Sequence, residues 1–187
     1  MTARATLTAA DSHPATLSWN GAAGGELFIT SGDVGYNYDL TTHVLSVVLA
    51  SGATMGAFLD GFFLCIDAAT GTLRISDLLD GTTWDPTQFA QRSIAPDPWK
   101  AMTVLYPRIY LFGGQTTEVW YDAGAFPFPF EPVQGILIQD GIAAPFSLAT
   151  ADNAIYWLAH NINGTARVVR TSGYRTEVIS TKAVEQA

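Results

Sequence analysis

The chain has 187 residues, 48% of them hydrophobic and only 14% charged, with a net charge of −8 and nine Lys and Arg in all. Charge well below the usual quarter leaves little polar cover for a lone globule, so part of the surface is expected to meet other protein. The basic residues are scattered, densest at Arg167 and Arg170, and make no stripe that could neutralise phosphates, which argues against direct nucleic-acid binding.

The opening "MTARATLTAADSHPA" lacks the apolar core of a secretory signal, and residues 1–14 are expected to form a flexible leader. From residue 15 on, strand-like segments come in groups. "ATLSW" leads to "ELFITSG" from Glu26, then "GYNYDL" and "VLSVVL". "TMGAFL" leads to "FFLCIDA" from Phe62, then "TLRISDL". "KAMTVLY" leads to "RIYLFGG" from Arg108, then "TTEVWYD" and "FEPVQG". "FSLATA" leads to "AIYWLAH" from Ala154, then "ARVVRTS" and "TEVIST". The starts at Phe62, Arg108 and Ala154 are evenly 46 residues apart, and Glu26 lies 36 before Phe62.

Asp60-Gly61 and Asp152-Asn153 precede two of the apolar runs, and Pro107 stands at the same place in a third. Such pairs accept positive φ and close two-residue hairpins. The apolar runs do not alternate, as suits strands covered on both faces. Four antiparallel strands in roughly 40–50 residues is the period of a propeller blade. The chain is therefore read as all-β and β-propeller-like, with about four four-stranded antiparallel blades near 15–50, 53–93, 98–134 and 144–182. A β-sandwich, whose turns are also closely spaced, is the alternative. The low charge favours an arc of a larger propeller over a small closed ring. The only helical hint is the final "KAVEQA", and no apolar run approaches the ~20 residues of a membrane helix.

A search for chemistry yields turns and core instead of a site. His13, His43 and His160 sit in different repeats without metal-ligand spacing. Asp77, Asp80 and Asp85 in "DLLDGTTWDP" echo a calcium loop only at its start, and turn formation is the simpler reading. Cys65 is the single cysteine, so no internal disulfide is expected, and within "GFFLCID" it reads as a buried thiol. Asn163-Gly164-Thr165 fits a glycosylation sequon, which is idle without export. No catalytic, cofactor or metal residues are assigned, and an enzyme is not expected.

The stretch "TTEVWYDAGAFPFPF" is different. It reads as a strand with Val119 and Tyr121 on one face and Trp120 on the other, followed by an extended crossing. Alternating prolines remove donors, so the crossing seeks no ladder partners. Phe126, Phe128, Phe130 and, on the separate "WDP" turn, Trp84 are the candidate subunit contacts.

"DGTTWDPTQFAQRSIAPDP", "LYPRIYLFGGQTTEVWYDAGAFPFPF", "GIAAP", "DNAIYWLA", "RTSGYR" and "ISTKAVEQA" follow one another in that order. In this combination, from about Ala23 to Ala187, the chain resembles the packaged-DNA stabilisation proteins of short-tailed bacteriophages, also called head-completion or tail-hub proteins. The resemblance implies a propeller-like domain within proteins commonly more than twice this length, so an internal segment is expected. It also implies a structural virion protein of the head–tail junction, made in the bacterial host cytoplasm, that closes the channel and retains packaged DNA. Its partners would be other junction and tail proteins and copies of itself, without sequence-specific nucleic-acid binding and without a membrane. The reading from a different class is a propeller module that binds a peptide or glycan through "WDPTQF" and "GAFPFPF".

Overall fold

The computed structural model describes residues 6–7, 13–22, 24–92, 94–160 and 166–181. The Asn163 sequon, the "KAVEQA" hint of helix and most of the 1–14 leader lie outside the described residues. The chain divides into two compact units, Met1–Gln91 and Arg92–Ala187.

The first unit holds two antiparallel sheets. Blade 1 runs β1 (Thr16–Trp19), β2 (Glu26–Ser31), β3 (Val34–Asp39) and β4 (Leu45–Leu49), side by side in chain order. Blade 2 repeats the pattern with β5 (Met55–Leu59), β6 (Phe62–Asp67), β7 (Thr72–Ile75) and β8 (Phe89–Gln91). Two-residue turns close one hairpin in each blade. Gly32 and Asp33 link β2 to β3 with φ of 60° and 65°, and Asp60 and Gly61 link β5 to β6 with φ of 48° and 93°. Positive φ at both central positions matches the right-handed twist of the flanking strands.

One face of blade 1 packs on one face of blade 2. Phe28 is fully buried, with its ring 5.7 Å from Phe63 and 5.0 Å from Trp84. Gly56 makes the approach possible, because a β-carbon there would lie 2.8 Å from the Phe28 ring. The Gly56 amide donates to Thr16 Oγ1 at 2.8 Å, tying the first strands of the two blades together. On the other face of blade 2, Leu64, Ile66, Leu73 and Ile75 have no exposed surface. This explains the unbroken apolar run of β6: the strand is covered on both sides.

The second unit holds the other two sheets. Blade 3 comprises β9 (Ala101–Leu105), β10 (Arg108–Phe112), β11 (Thr117–Asp122) and β12 (Phe130–Ile138), with a bulge where β11 meets β12 between Glu118 and Trp120. Blade 4 comprises β13 (Gly141–Ile142), β14 (Ala149–Ala151), β15 (Ala154–His160), β16 (Ala166–Ser172) and β17 (Arg175–Val178). Its first strand is split. β13 pairs with Ala159 and His160, β14 pairs with Ala154 to Tyr156, and a 3-10 turn at Pro145–Ser147 separates them along one edge of β15. Pro145 has no donor to offer the ladder, so the expected strand "FSLATA" survives only from Ala149. Phe112 meets Trp157 edge-on at 5.2 Å, and Thr117 Oγ1 donates to the Asp140 carbonyl at 2.7 Å, locking blade 3 to blade 4.

The architecture is all-β and propeller-like, with four separate antiparallel sheets and not the two of a sandwich. Blade 2 has a fourth strand that the sequence did not disclose. β8 is only three residues long, with Phe89 and Gln91 exposed.

Candidate functional site

The proline-spaced aromatic stretch is a tight loop between neighbouring strands of blade 3. The Ala123 amide donates to the Pro129 carbonyl at 2.8 Å, and the Gly124 amide donates to Asp122 Oδ1 at 2.8 Å. The three phenylalanines have three fates. Phe130 opens β12 and is 2% exposed, so it belongs to the core and offers no contact surface. Phe128 is half-buried, edge-on to Phe130 at 6.0 Å. Phe126 is 94% exposed. Trp84 is half-buried on the loop between β7 and β8, where its Nε1 donates to the Gly81 carbonyl at 3.0 Å and its ring covers Phe28. It also walls a shallow cleft of about 360 Å³ with Val48, Leu49 and Pro86.

The face of blade 1 turned away from blade 2 carries two apolar rows in which Ile29 and Tyr36 are buried and Leu17, Trp19 and Val47 at the row ends are exposed. The register aligns Leu17, Ile29, Tyr36 and Val47 in one row across the four strands. Trp19, Leu27, Tyr38 and Leu45 make a second row beside it. Leu17, Trp19 and Val47 are 64%, 53% and 59% exposed. Large exposed apolar patches mark contact surfaces, and a sheet face of this composition suits another sheet. Sequence reasoning missed these residues because alternation in "ATLSW" reads as an inward apolar side. It does not say whether anything lies on that side.

The acidic side chains serve as clamps. Glu118, 2% exposed, accepts the Ile94 and Ala95 amides through Oε1 and the Trp120 indole through Oε2. Asp140 receives Arg167 and the Thr176 hydroxyl. Glu26 holds the Asn20 and Asn37 amides at 2.8 Å each and the Gly81 amide at 3.1 Å. Asp80 and Asp85 close their own turns onto Thr82, Thr83 and Thr87, and these bonds, led by the Thr82 and Thr87 hydroxyls, hold both below the usual carboxylate range. Among the described residues no group of three or more His, Cys, Asp or Glu could hold a metal ion. His43 accepts or donates to the Tyr38 hydroxyl at 3.2 Å, and burial pushes the Cys65 thiol far up.

Asp97 shows what such a clamp contributes. Its carboxylate takes the amides of Gly114, Gln115 and Thr116 at 2.7 to 2.8 Å, fixing the turn between β10 and β11. Burial works against the charged form, but these donors outweigh it and hold Asp97 below its ordinary value. A folded pKa depressed below the unfolded one gives stability that is present above the unfolded value of about 4 and lost as pH falls through the folded value. Asp97→Asn is thus expected to destabilise the chain at pH 7. Its difference from wild type should shrink in urea melts taken below about pH 4. An undiminished difference in acid would mean that the charge plays no part.

The strands and the four sheets are those of a propeller, and a family comparison agrees. Residues 23–187 match the family model "Phage_stabilise", described as "Bacteriophage P22 Gp10, beta-propeller". The chain belongs to this phage family. It is accordingly a phage structural protein of β-propeller type. No curated protein matches it. Among solved structures, the chain is similar to AztD of Citrobacter koseri, with 12% identity and a TM-score of 0.54 over 91% of this chain and 47% of that one. It is also similar to PorZ of Porphyromonas gingivalis, described as a surface component of the type-IX secretion system, with 18% identity and a TM-score of 0.53 over 89% of this chain and 21% of that one. At such identities the likeness concerns the fold alone. The chain spans under half the length of either structure. No described helix is long and apolar enough to cross a membrane.

Proposed function

We propose that this phage propeller protein acts at the head–tail junction, where it narrows or closes the channel and helps retain packaged DNA. The observation that carries the reading is the family match over residues 23–187. The mechanism is steric and interfacial. Copies of the chain and neighbouring junction or tail proteins pack around the channel, and the net charge of −8 discourages adhesion to the DNA that passes. The exposed row ends Leu17, Trp19 and Val47 and the Phe126 ring supply apolar contacts for such packing. Further blades, from a longer chain or a neighbour, would cover Leu17, Trp19 and Val47 and make these four sheets an arc of a larger propeller. The engagement of Glu118, Asp140, Glu26 and Asp97 with internal donors supports a role without catalysis.

The test is to assemble particles without this protein. Heads are expected to fill and then lose their DNA, read as nuclease-sensitive DNA and empty heads by electron microscopy. Filled heads that keep their DNA as well as wild type would overturn the retention role.

A further inference from the structure

The second unit carries a cleft of about 320 Å³ between the β9–β10 turn of blade 3 and the hairpin turns of blade 4. Its wall includes Tyr106, Arg108, Tyr110, Asn153 and Tyr174, and no carboxylate lines it. That is unusual in a chain with nearly two acids for every base.

Arg108 is held but not neutralised. Its guanidinium lies over the Tyr121 ring, 5.4 Å from the centroid. Its Nε donates to the Tyr174 hydroxyl at 3.4 Å, and one terminal nitrogen donates to the Pro107 carbonyl at 3.2 Å. Among the described residues no carboxylate pairs with it. The other terminal nitrogen keeps both of its donors. The Tyr174 hydroxyl accepts from Arg108 and keeps its proton to donate. The Tyr110 ring is 4% exposed and its hydroxyl has no hydrogen-bond partner among the described residues. Burial raises its pKa, so it remains a protonated donor at neutral pH. Tyr106, 73% exposed, stands at the rim as a free aromatic face.

A rigid unpaired guanidinium with phenolic donors beside it, and no acceptor of opposing charge, is complementary to an oxyanion. We propose that this cleft binds a phosphate or carboxylate group of a ligand. The cleft, about 320 Å³, is larger than one such group, so it leaves room for more of the ligand beside Tyr106.

The experiment titrates the full 187-residue chain with inorganic phosphate, dimethyl phosphate and acetate at low ionic strength, following tyrosine ring resonances by NMR. Saturable binding with a dissociation constant of about 1–10 mM is expected, with Tyr110 and Tyr174 shifting together. Dimethyl phosphate stands for a phosphodiester source and acetate for a carboxylate source. Whichever saturates first names the source, and either ranking supports the site. Arg108→Gln should weaken binding at least about tenfold, because a charge-assisted bond is lost. Tyr174→Phe removes one donor from a partly exposed ring, preserves the fold, and should weaken binding about threefold to tenfold. Non-saturating shifts with all three anions, or binding that neither substitution changes, would overturn the proposal.

Discussion

Replacing Trp157 with alanine is expected to cost about 4–6 kcal/mol, from a large-to-small core truncation and the loss of one buried hydrogen bond. The residue stands in the middle of β15 and is 1% exposed. Its indole fills the contact between blades 3 and 4, edge-on to Phe112 at 5.2 Å. Its Nε1 donates to the Gly141 carbonyl at 3.0 Å. Gly141 cannot move in to fill the gap, because its own neighbours are already close: a β-carbon there would lie 2.3 Å from the Gln115 backbone nitrogen. A loss of this size takes much of the ~5–15 kcal/mol that a domain commonly has. With a urea m-value of about 1–3 kcal/mol/M, the midpoint should fall by about 1.3 M or more, or the variant should be unfolded in water. Trp157→Phe keeps most of the ring and loses only the indole bond, so about 1–2 kcal/mol is expected. A cost for Trp157→Ala no greater than that of Trp157→Phe would mean that the contact between these blades is held elsewhere.

What was legible in the sequence follows from burial. The runs at Phe62, Arg108 and Ala154 became β6, β10 and β15, strands whose interior positions are mostly buried on both faces. Such strands need apolar residues throughout, so their signal is strong and their spacing reveals the repeat. Weaker elements left weaker traces. β8 has three residues and two exposed side chains, too little for any periodicity. The first strand of blade 4 is expected as "FSLATA"; a 3-10 turn at Pro145–Ser147 takes its start, leaving Ala149–Ala151, and the separate Gly141–Ile142 pairs further along β15.

The candidate site was less legible because it depends on contacts distant in the chain. Phe126 and Phe130 occupy equivalent places in "FPFPF", yet one is 94% and the other 2% exposed. The difference is set by where β12 begins. Leu17 and Trp19 stand at the β1 ends of rows that contain the buried Ile29 and Tyr36, yet are themselves 64% and 53% exposed. Arg108 sits in an apolar run and declares no ligand. Its cleft forms only when Tyr174, 66 residues further along, meets it from blade 4.

Glu118 carries the second large effect. In "TTEVWYD" it is a polar position on the third, more polar strand of its blade, but it is 2% exposed and pairs with Leu111 and Leu137 on its neighbours. Its charge is tolerated because N–H donors converge on it, among them Ile94, Ala95 and the Trp120 indole at 3.0, 3.3 and 2.9 Å. The first two lie 24 and 23 residues upstream, so the carboxylate fastens the segment leading into blade 3 onto its third strand. Glu118→Ala leaves the buried Trp120 indole and the part-buried Ile94 and Ala95 amides without this acceptor and is expected to cost about 3–5 kcal/mol. Glu118→Gln separates filling from bonding. It keeps the volume, but its amide NH₂ must face either the indole N–H or the two backbone amides, donor against donor. A cost of about 2–3 kcal/mol is therefore expected, with faster hydrogen exchange at Ile94 and Ala95. Equilibrium unfolding in urea gives the first quantity and native-state exchange the second. A Gln variant as stable as wild type, with Ile94 and Ala95 equally protected, would show that Glu118 merely fills space and that the upstream segment is held by other contacts.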